Sequence, residues 1–267
     1  MLRKAWAFIQ RDFIEETSYR MAFVLRLFGM LFSVVTFFFV SKLFGPAAAP
    51  HLESYGGDYF SFVIIGLAFS QYVGVSLTSF STMITRAQIT GTLEALFLTE
   101  TDASAIVVGS SLYRFLWVSV NVTLYLAVGA VFGMDLSRAN LLAGFIVLLL
   151  TVACFSSFGI LAASFVIVFK RGDPITTIFK GVMDVLGGTY YPITVLPGWL
   201  QVFSYFVPLT YALRAMRLAL LQGYSIIDLA PDLGILLVFS VVLLPLSVLV
   251  FNYAVHRAKA EGSLSHY

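Results

Sequence analysis

Leu141-Leu-Ala-Gly-Phe-Ile-Val-Leu-Leu-Leu-Thr-Val-Ala-Cys-Phe-Ser-Ser-Phe-Gly-Ile-Leu-Ala-Ala-Ser-Phe-Val-Ile-Val168 contains no charged residue. It exceeds the roughly 20 apolar residues that carry an α-helix across a bilayer. The rest of the chain is written in the same way. It is 60% hydrophobic and 11% charged, against roughly 45–50% and 25% in soluble domains. The reading is an all-α polytopic membrane protein, with residues 1–267 forming one domain because spans and their connectors leave no room for another.

Outward from that run, spans fall near Phe23–Leu43, Tyr59–Met83, Val107–Phe132, Leu141–Val168, Thr176–Tyr190 and Leu233–Tyr253, six in all. The fifth is short and runs into Gly187-Gly-Thr-Tyr-Tyr-Pro192, where glycine and proline end a helix. Arg3 and Lys4 precede the apolar run Met21–Val40, as in a signal peptide. That run is too long for the purpose and its leader carries Asp12, Glu15 and Glu16, so it is expected to remain as the first span. The leader itself, Trp6–Glu16, mixes aromatic and charged residues at helical spacing and reads as an amphipathic helix in the membrane interface.

With six spans both termini share one side, which then holds Arg3, Lys4, Arg11, Arg20, Arg86, Lys170, Arg171, Arg257 and Lys259. The excess of basic residues makes that side cytoplasmic. The opposite side receives Gly45–Asp58, which has no Lys or Arg, the Met134–Asn140 turn with Arg138, and the stretch Pro192–Asp232. Arg214 and Arg217 break the rule, which marks their stretch as something other than a simple loop. Its prolines separate apolar segments too short to cross. Pro197 and Pro208 suit the first turn of short helices dipping into the outer leaflet, and Trp199, Tyr205 and Tyr211 suit the aromatic belt.

Between the second and third spans lies Arg86-Ala-Gln-Ile-Thr-Gly-Thr-Leu-Glu-Ala-Leu-Phe-Leu-Thr99. A plain connector needs only a few polar residues, whereas Thr92-Leu-Glu-Ala-Leu-Phe-Leu98 reads as a capped helix with an apolar face. Such a helix calls for something to dock against.

Several chemistries find no support. The net charge of +2 is small and its basic residues are dispersed, which argues against nucleic acid. None of Lys4, Lys42, Lys170, Lys180 and Lys259 is followed by Ser or Thr, so the phosphate-cradling Walker A motif is absent. No nucleophile elbow or zinc-binding helix motif occurs, His51, His256 and His266 are scattered, and the single Cys154 reads as packing. Catalytic and metal residues are therefore not assigned. Within the apolar runs, Lys180 and Asp184 stand four apart and suit an intramembrane pair along one helix face. Arg26 and Arg114 read as anchors snorkelling toward headgroups.

Three passages in order then carry a likeness: Gly91-Thr-Leu-Glu-Ala-Leu96, Gly187-Gly-Thr-Tyr-Tyr-Pro-Ile-Thr-Val-Leu-Pro-Gly-Trp-Leu200 and Val207-Pro-Leu-Thr-Tyr-Ala-Leu-Arg-Ala-Met-Arg217. Together with six spans they make the chain resemble the transmembrane permease of an ABC-2 type exporter. The resemblance implies a homodimer in the cytoplasmic (inner) membrane, working with two copies of a separate nucleotide-binding ATPase. ATP and Mg would be held by that partner and no cofactor by this chain, which is then not itself an enzyme. The resemblance also implies that Thr92, Leu93, Glu94, Ala95 and Leu96, with Arg86 beside them, form a cytoplasmic coupling helix. Tyr190, Tyr191, Pro192, Pro197, Trp199, Pro208 and Tyr211 would belong to re-entrant helices at the exit. The 26 Phe and 13 Tyr residues suit an amphipathic or lipid-linked cargo such as a polysaccharide, a glycolipid or lipid, or a hydrophobic drug. Leu98-Thr-Glu-Thr-Asp102 stands where many relatives have Thr-Pro, which moves the end of the docking helix. The alternative is an ion- or proton-coupled secondary transporter centred on Lys180, Asp184 and Arg114.

Overall fold

The computed structural model describes residues 20–91, 103–169 and 173–260. Among them every regular element is helical. Helix α1 is Arg20–Ala48, α2 Tyr59–Ile89, α3 Ala103–Val131, α4 Leu141–Phe169, α5 Asp173–Leu186, α6 Gly198–Ser204, α7 Pro208–Arg217 and α8 Ala230–Ala260. The helices expected over Trp6–Glu16 and Thr92–Leu96 lie outside the described residues.

Among the described residues five helices are long and apolar enough to cross a membrane, with candidate spans Leu27–His51, Tyr59–Ile89, Arg114–Val131, Leu141–Phe169 and Ala230–Ala258. Helix α5 has 14 residues, which at about 1.5 Å each reach about 21 Å and fall short of the roughly 30 Å hydrocarbon core. The expected fifth span, Thr176–Tyr190, therefore appears as a shorter helix that begins earlier and stops at Leu186. Its physical reason is local: Gly187 follows at the helix end and Gly188 turns the chain with φ +75°.

Helix α2 is the centre of the bundle. Its apolar window is 78% buried, against 11% for the windows of α1 and α3. Asp58 caps its first turn, its carboxylate accepting from the backbone N–H groups of Phe60 at 3.2 Å and Ser61 at 2.9 Å. At the far end, Phe80, Ile84 and Ala87 of α2 cluster with Ile160, Ala163, Val166 and Ile167 of α4 and Phe251, Ala254, Val255 and Ala258 of α8. These three helices therefore run the same way, from an Asp58 end to an Ile89 end. Helix α3 runs against them: the Tyr72 hydroxyl donates to Ser119 Oγ at 2.8 Å, while Ile64 lies beside Gly129.

Because lipid tails are as apolar as leucine, helix association here rests on close packing and hydrogen bonds rather than on expulsion of water. Buried hydroxyls are mostly satisfied within their own helix: Ser79 donates to the Val75 carbonyl, Thr151 to Val147 and Ser164 to Ile160, at 2.6, 2.8 and 2.8 Å. Helices α2 and α4 touch backbone to backbone where Gly159 meets Ser76 and Leu77. A Cβ at Gly159 would stand 2.1 Å from the Ser76 carbonyl oxygen. Around these contacts Phe62, Phe155 and Phe251 are fully buried. Met21, Leu25, Phe28, Phe32 and Leu43 of α1 instead stay exposed, as a face turned to hydrocarbon requires.

Gly159→Leu should separate α2 from α4 and lower stability by about 1–3 kcal/mol or more, read as a reduced thermal midpoint of the purified protein in detergent. Gly234→Ala, where an added Cβ meets nothing within 4 Å, should leave the midpoint unchanged or raise it. An unchanged midpoint for Gly159→Leu would show that the helices do not meet there.

Candidate functional site

Charged groups at depth are expensive, and where the fold buries them it must supply partners. The structure does so along the contact between α2 and α5. Asp184, 6% exposed, accepts from Ser70 Oγ at 2.6 Å and from Thr189 Oγ1 at 3.0 Å on one carboxylate oxygen. The other oxygen pairs with the Lys180 ammonium at 2.5 Å. That ammonium also donates to Ser70 Oγ at 3.0 Å. Lys180 and Asp184 sit one turn apart on α5, so the four-residue spacing alone aligns them. What the spacing does not contain is Ser70, which lies on α2.

Glycine makes the approach possible. A Cβ at Gly74 would stand 2.9 Å from Lys180 Cε, and one at Gly66 would stand 2.2 Å from the Thr189 carbonyl oxygen and 2.5 Å from a terminal nitrogen of Arg217. Gly66, Ser70 and Gly74 are spaced by four, so α2 offers a stripe of small residues along which α5 lies. Thr189 faces Gly66, Asp184 faces Ser70 and Lys180 faces Gly74, in opposite chain order, so α5 is antiparallel to α2.

Beyond α5 the chain folds back at the Asp58 end. Pro192 leads into the single turn Ile193–Val195, Pro197 precedes α6 and Pro208 is the first residue of α7, as its fixed φ favours. Helix α6 shows Trp199, Val202 and Phe203 outward, continued by Tyr205 and Phe206, all more than half exposed. Helix α7 is largely buried and leads through a π-helical turn, Leu218–Gln222, to a left-handed Gly223 packed on the Arg138 carbonyl. Tyr190 stacks on Phe37 of α1 at 6.2 Å. The Tyr191 hydroxyl donates to the Val185 carbonyl at 3.2 Å and that of Tyr211 to the Tyr205 carbonyl at 2.8 Å. Pro192 and Pro208 are buried; Pro197 and Trp199 are exposed. Tyr190 and Tyr191 thus lean on α1 and α5, while Trp199 stands apart on the outer face of α6.

The two arginines that violated the charge rule are both engaged. Arg214 forms a two-pronged ion pair with Asp232 at the start of α8, its Nε 3.0 Å from each carboxylate oxygen. Arg217, 2% exposed, donates to the carbonyls of Phe62 at 3.1 Å, Gly188 at 3.0 Å and Thr189 at 2.9 Å, and lies over the Phe62 ring at 3.4 Å. Sequence reasoning registered these residues as anomalies without assigning them partners; two arginines one turn apart on a presumed outer segment were the only signal available.

Polar groups of the surrounding turns are likewise tied. Asn140 caps α4 by accepting from the Ala143 N–H at 3.1 Å and donates to the Tyr224 carbonyl at 3.1 Å. The Ser225 hydroxyl and N–H hold the Asp228 carboxyl below the usual carboxylate range, and the Ser137 N–H does the same for Asp135.

At the Ile89 end, Arg86 is exposed in the last turn of α2 and Thr90 donates to the Arg86 carbonyl at 2.9 Å. Gly91, φ +66°, then turns the chain out of the helix. Thr92, Leu93, Glu94, Ala95 and Leu96 follow immediately and lie outside the described residues. Among the described residues no group of three or more His, Cys, Asp or Glu could hold a metal ion.

Comparison with known proteins places this geometry. The inner membrane transport permease YadH of Escherichia coli (strain K12) and that of Shigella flexneri are each 24% identical to the chain over 192 residues, 71% of this chain and 73% of theirs. Residues 3–221 match the family described as ABC-2 type transporter. The match runs from before α1 into the π-helical turn after α7, so the chain belongs to the ABC-2 type transporter family.

Proposed function

We propose that this chain is the transmembrane permease of an ATP-driven exporter in the cytoplasmic membrane, moving an amphipathic or lipid-linked substrate outward. Membership of the family makes the chain a transport subunit associated with an ABC ATPase. The finer reading has one observation at its centre. At the Ile89 end, α2 is terminated by Gly91 directly before the amphipathic run Thr92–Leu98, on the side that carries most of the basic residues outside the spans.

In this reading residues 1–267 act as one transmembrane domain, paired with a second copy and two ATPase subunits. Each ATPase binds ATP and Mg; the permease binds neither. Leu93 and Leu96 fill an apolar pocket of the ATPase while Glu94 and Arg86 set register through charge. Closure of the ATPases moves both docking helices, and α2, continuous from Gly91 to Asp58, carries that motion to the opposite end.

The fold also fits six crossings with both termini cytoplasmic. Helices α4 and α8 run the same way, so the chain between them returns across the bundle once. Helix α5 makes the first part of that return beside α2, and the proline-punctuated stretch through α7 supplies the remainder as re-entrant structure at the exit. Tyr190, Tyr191, Trp199 and Tyr211 would then meet the cargo or the lipid as it leaves. An ion-coupled carrier would instead need Asp184 to exchange protons. Its oxygens already accept from Ser70, Thr189 and Lys180, which suits a fixed charge better than a relay.

Glu94→Arg should reduce co-purification with the ATPase or uncouple ATP hydrolysis from transport at least tenfold, while the permease alone remains folded in the membrane. Unchanged co-purification together with unchanged coupling would sink the assignment of Thr92–Leu96. Replacement of Asp184 by Asn provides the second arm: a stability defect with transport still driven by ATP fits the exporter, whereas transport that has lost its dependence on a proton gradient fits the carrier.

A further inference from the structure

A fully buried guanidinium whose hydrogen-bond acceptors among the described residues are all carbonyls is unusual, because burying a cation is tolerated only with a compensating charge or a full set of acceptors. Arg217 has the acceptors, three carbonyls from two parts of the chain. Two of them, Gly188 and Thr189, stand just beyond the C-terminus of α5, where the helix dipole gathers partial negative charge. The third belongs to Phe62 in the first turn of α2. The guanidinium therefore binds the end of α5 to the start of α2.

Thr189 extends this contact. Its carbonyl accepts from Arg217 while its hydroxyl donates to Asp184. One residue thus joins a buried cation to a buried anion, and Asp184 pairs with Lys180 directly while Thr189 links it to Arg217. The two cations are not equivalent. The Lys180 side chain is 34% exposed and can turn its flexible stem toward more polar surroundings. Arg217 is enclosed on all sides and has no such freedom.

We propose that Arg217, Thr189 and Asp184 form one latch that fixes α5 on the Gly66–Ser70–Gly74 stripe of α2, with Arg217 as the positioning residue. Gly187 and Gly188 end the helix, the Gly188 carbonyl being one of those that Arg217 grips. Without the latch they leave the end of α5 free to swing, because the glycine pair offers little conformational resistance. The latch also explains why α5 can stop short of a full crossing. The Met183, Asp184 and Val185 carbonyls of its last turn accept from the Gly187 and Thr189 N–H groups and the Tyr191 hydroxyl, and the Gly188 and Thr189 carbonyls just beyond it accept from Arg217.

The latch predicts energetic coupling between residues that do not touch. In the full-length protein in detergent, Asp184→Asn should lower the thermal midpoint by about 10 °C, because it removes the anion that Lys180, Ser70 and the Thr189 hydroxyl are arranged around. In an Arg217→Met background the same change should have less than half that effect. Equal shifts in the two backgrounds would overturn the latch. If Arg217→Met does not fold, Thr189→Val supplies the cycle, since it keeps both charges and cuts the hydroxyl link.

Positioning is separated from general stability by hydrogen exchange. Thr189→Val should speed exchange in Leu186–Tyr191 by about tenfold or more while peptides from α4 are unchanged. A uniform change across the protein, or none at Leu186–Tyr191, would refute a positioning role.

Discussion

The carbonyl groups released where α5 breaks at Gly187 and Gly188 must be satisfied inside the protein, since hydrocarbon offers no hydrogen bonds. Much of the Asp58 end is arranged around that requirement. Arg217 reaches Gly188, Thr189 and Phe62 because α7 lies deep enough to present it, with Leu209, Ala212, Leu213 and Ala215 in the core and Arg214 paired with Asp232 of α8. Gly66 has no side chain because Thr189 and Arg217 occupy the place where its Cβ would be. Helix termination, close packing and buried charge are here one problem with one solution.

The same contact accounts for the character of α2. A helix buried on most of its surface is ordinarily filled with large apolar side chains, and α2 has its share in Phe62, Ile64, Ile65 and Leu77. Its other faces are small and polar. Gly66, Ser70 and Gly74 receive α5, and Ser76 gives way to Gly159 of α4 with a hydroxyl that finds no partner among the described residues. Small residues let backbones approach, and in a membrane that approach is a principal source of helix adhesion. As one unbroken helix gripped along several sides, α2 is the element that the proposed mechanism uses to carry a displacement from one end of the bundle to the other.

The long helices were legible in the sequence, because an apolar run of sufficient length has one good solution in a bilayer. The starts of α6 and α7 were legible for a different reason: Pro197 and Pro208 fix the backbone where a helix begins. The extent of α5 was less so, since apolar composition continues through Val185 and Leu186 into residues that glycine turns away. Arg217 was visible only as a charge in the wrong place. Its acceptor at Phe62 is 155 residues away, and no periodicity or motif reports a contact at that separation. Asp184 could be matched to Lys180 by spacing, whereas Thr189 reached it through the turn at Gly187 and Gly188 and Ser70 through packing of α5 on α2.

The two ends of α2 thus have different tasks. The Asp58 end is locked by charge and carbonyl groups, and the Ile89 end leads through Gly91 to Thr92–Leu96, the segment proposed to dock the ATPase. The most direct test of that division places a photo-crosslinking amino acid at Leu96 in the permease co-expressed with its ATPase. A crosslink to the ATPase that a change to the ATPase surface abolishes is expected. A label at Leu96 that captures only the permease itself, with the ATPase bound elsewhere, would contradict it.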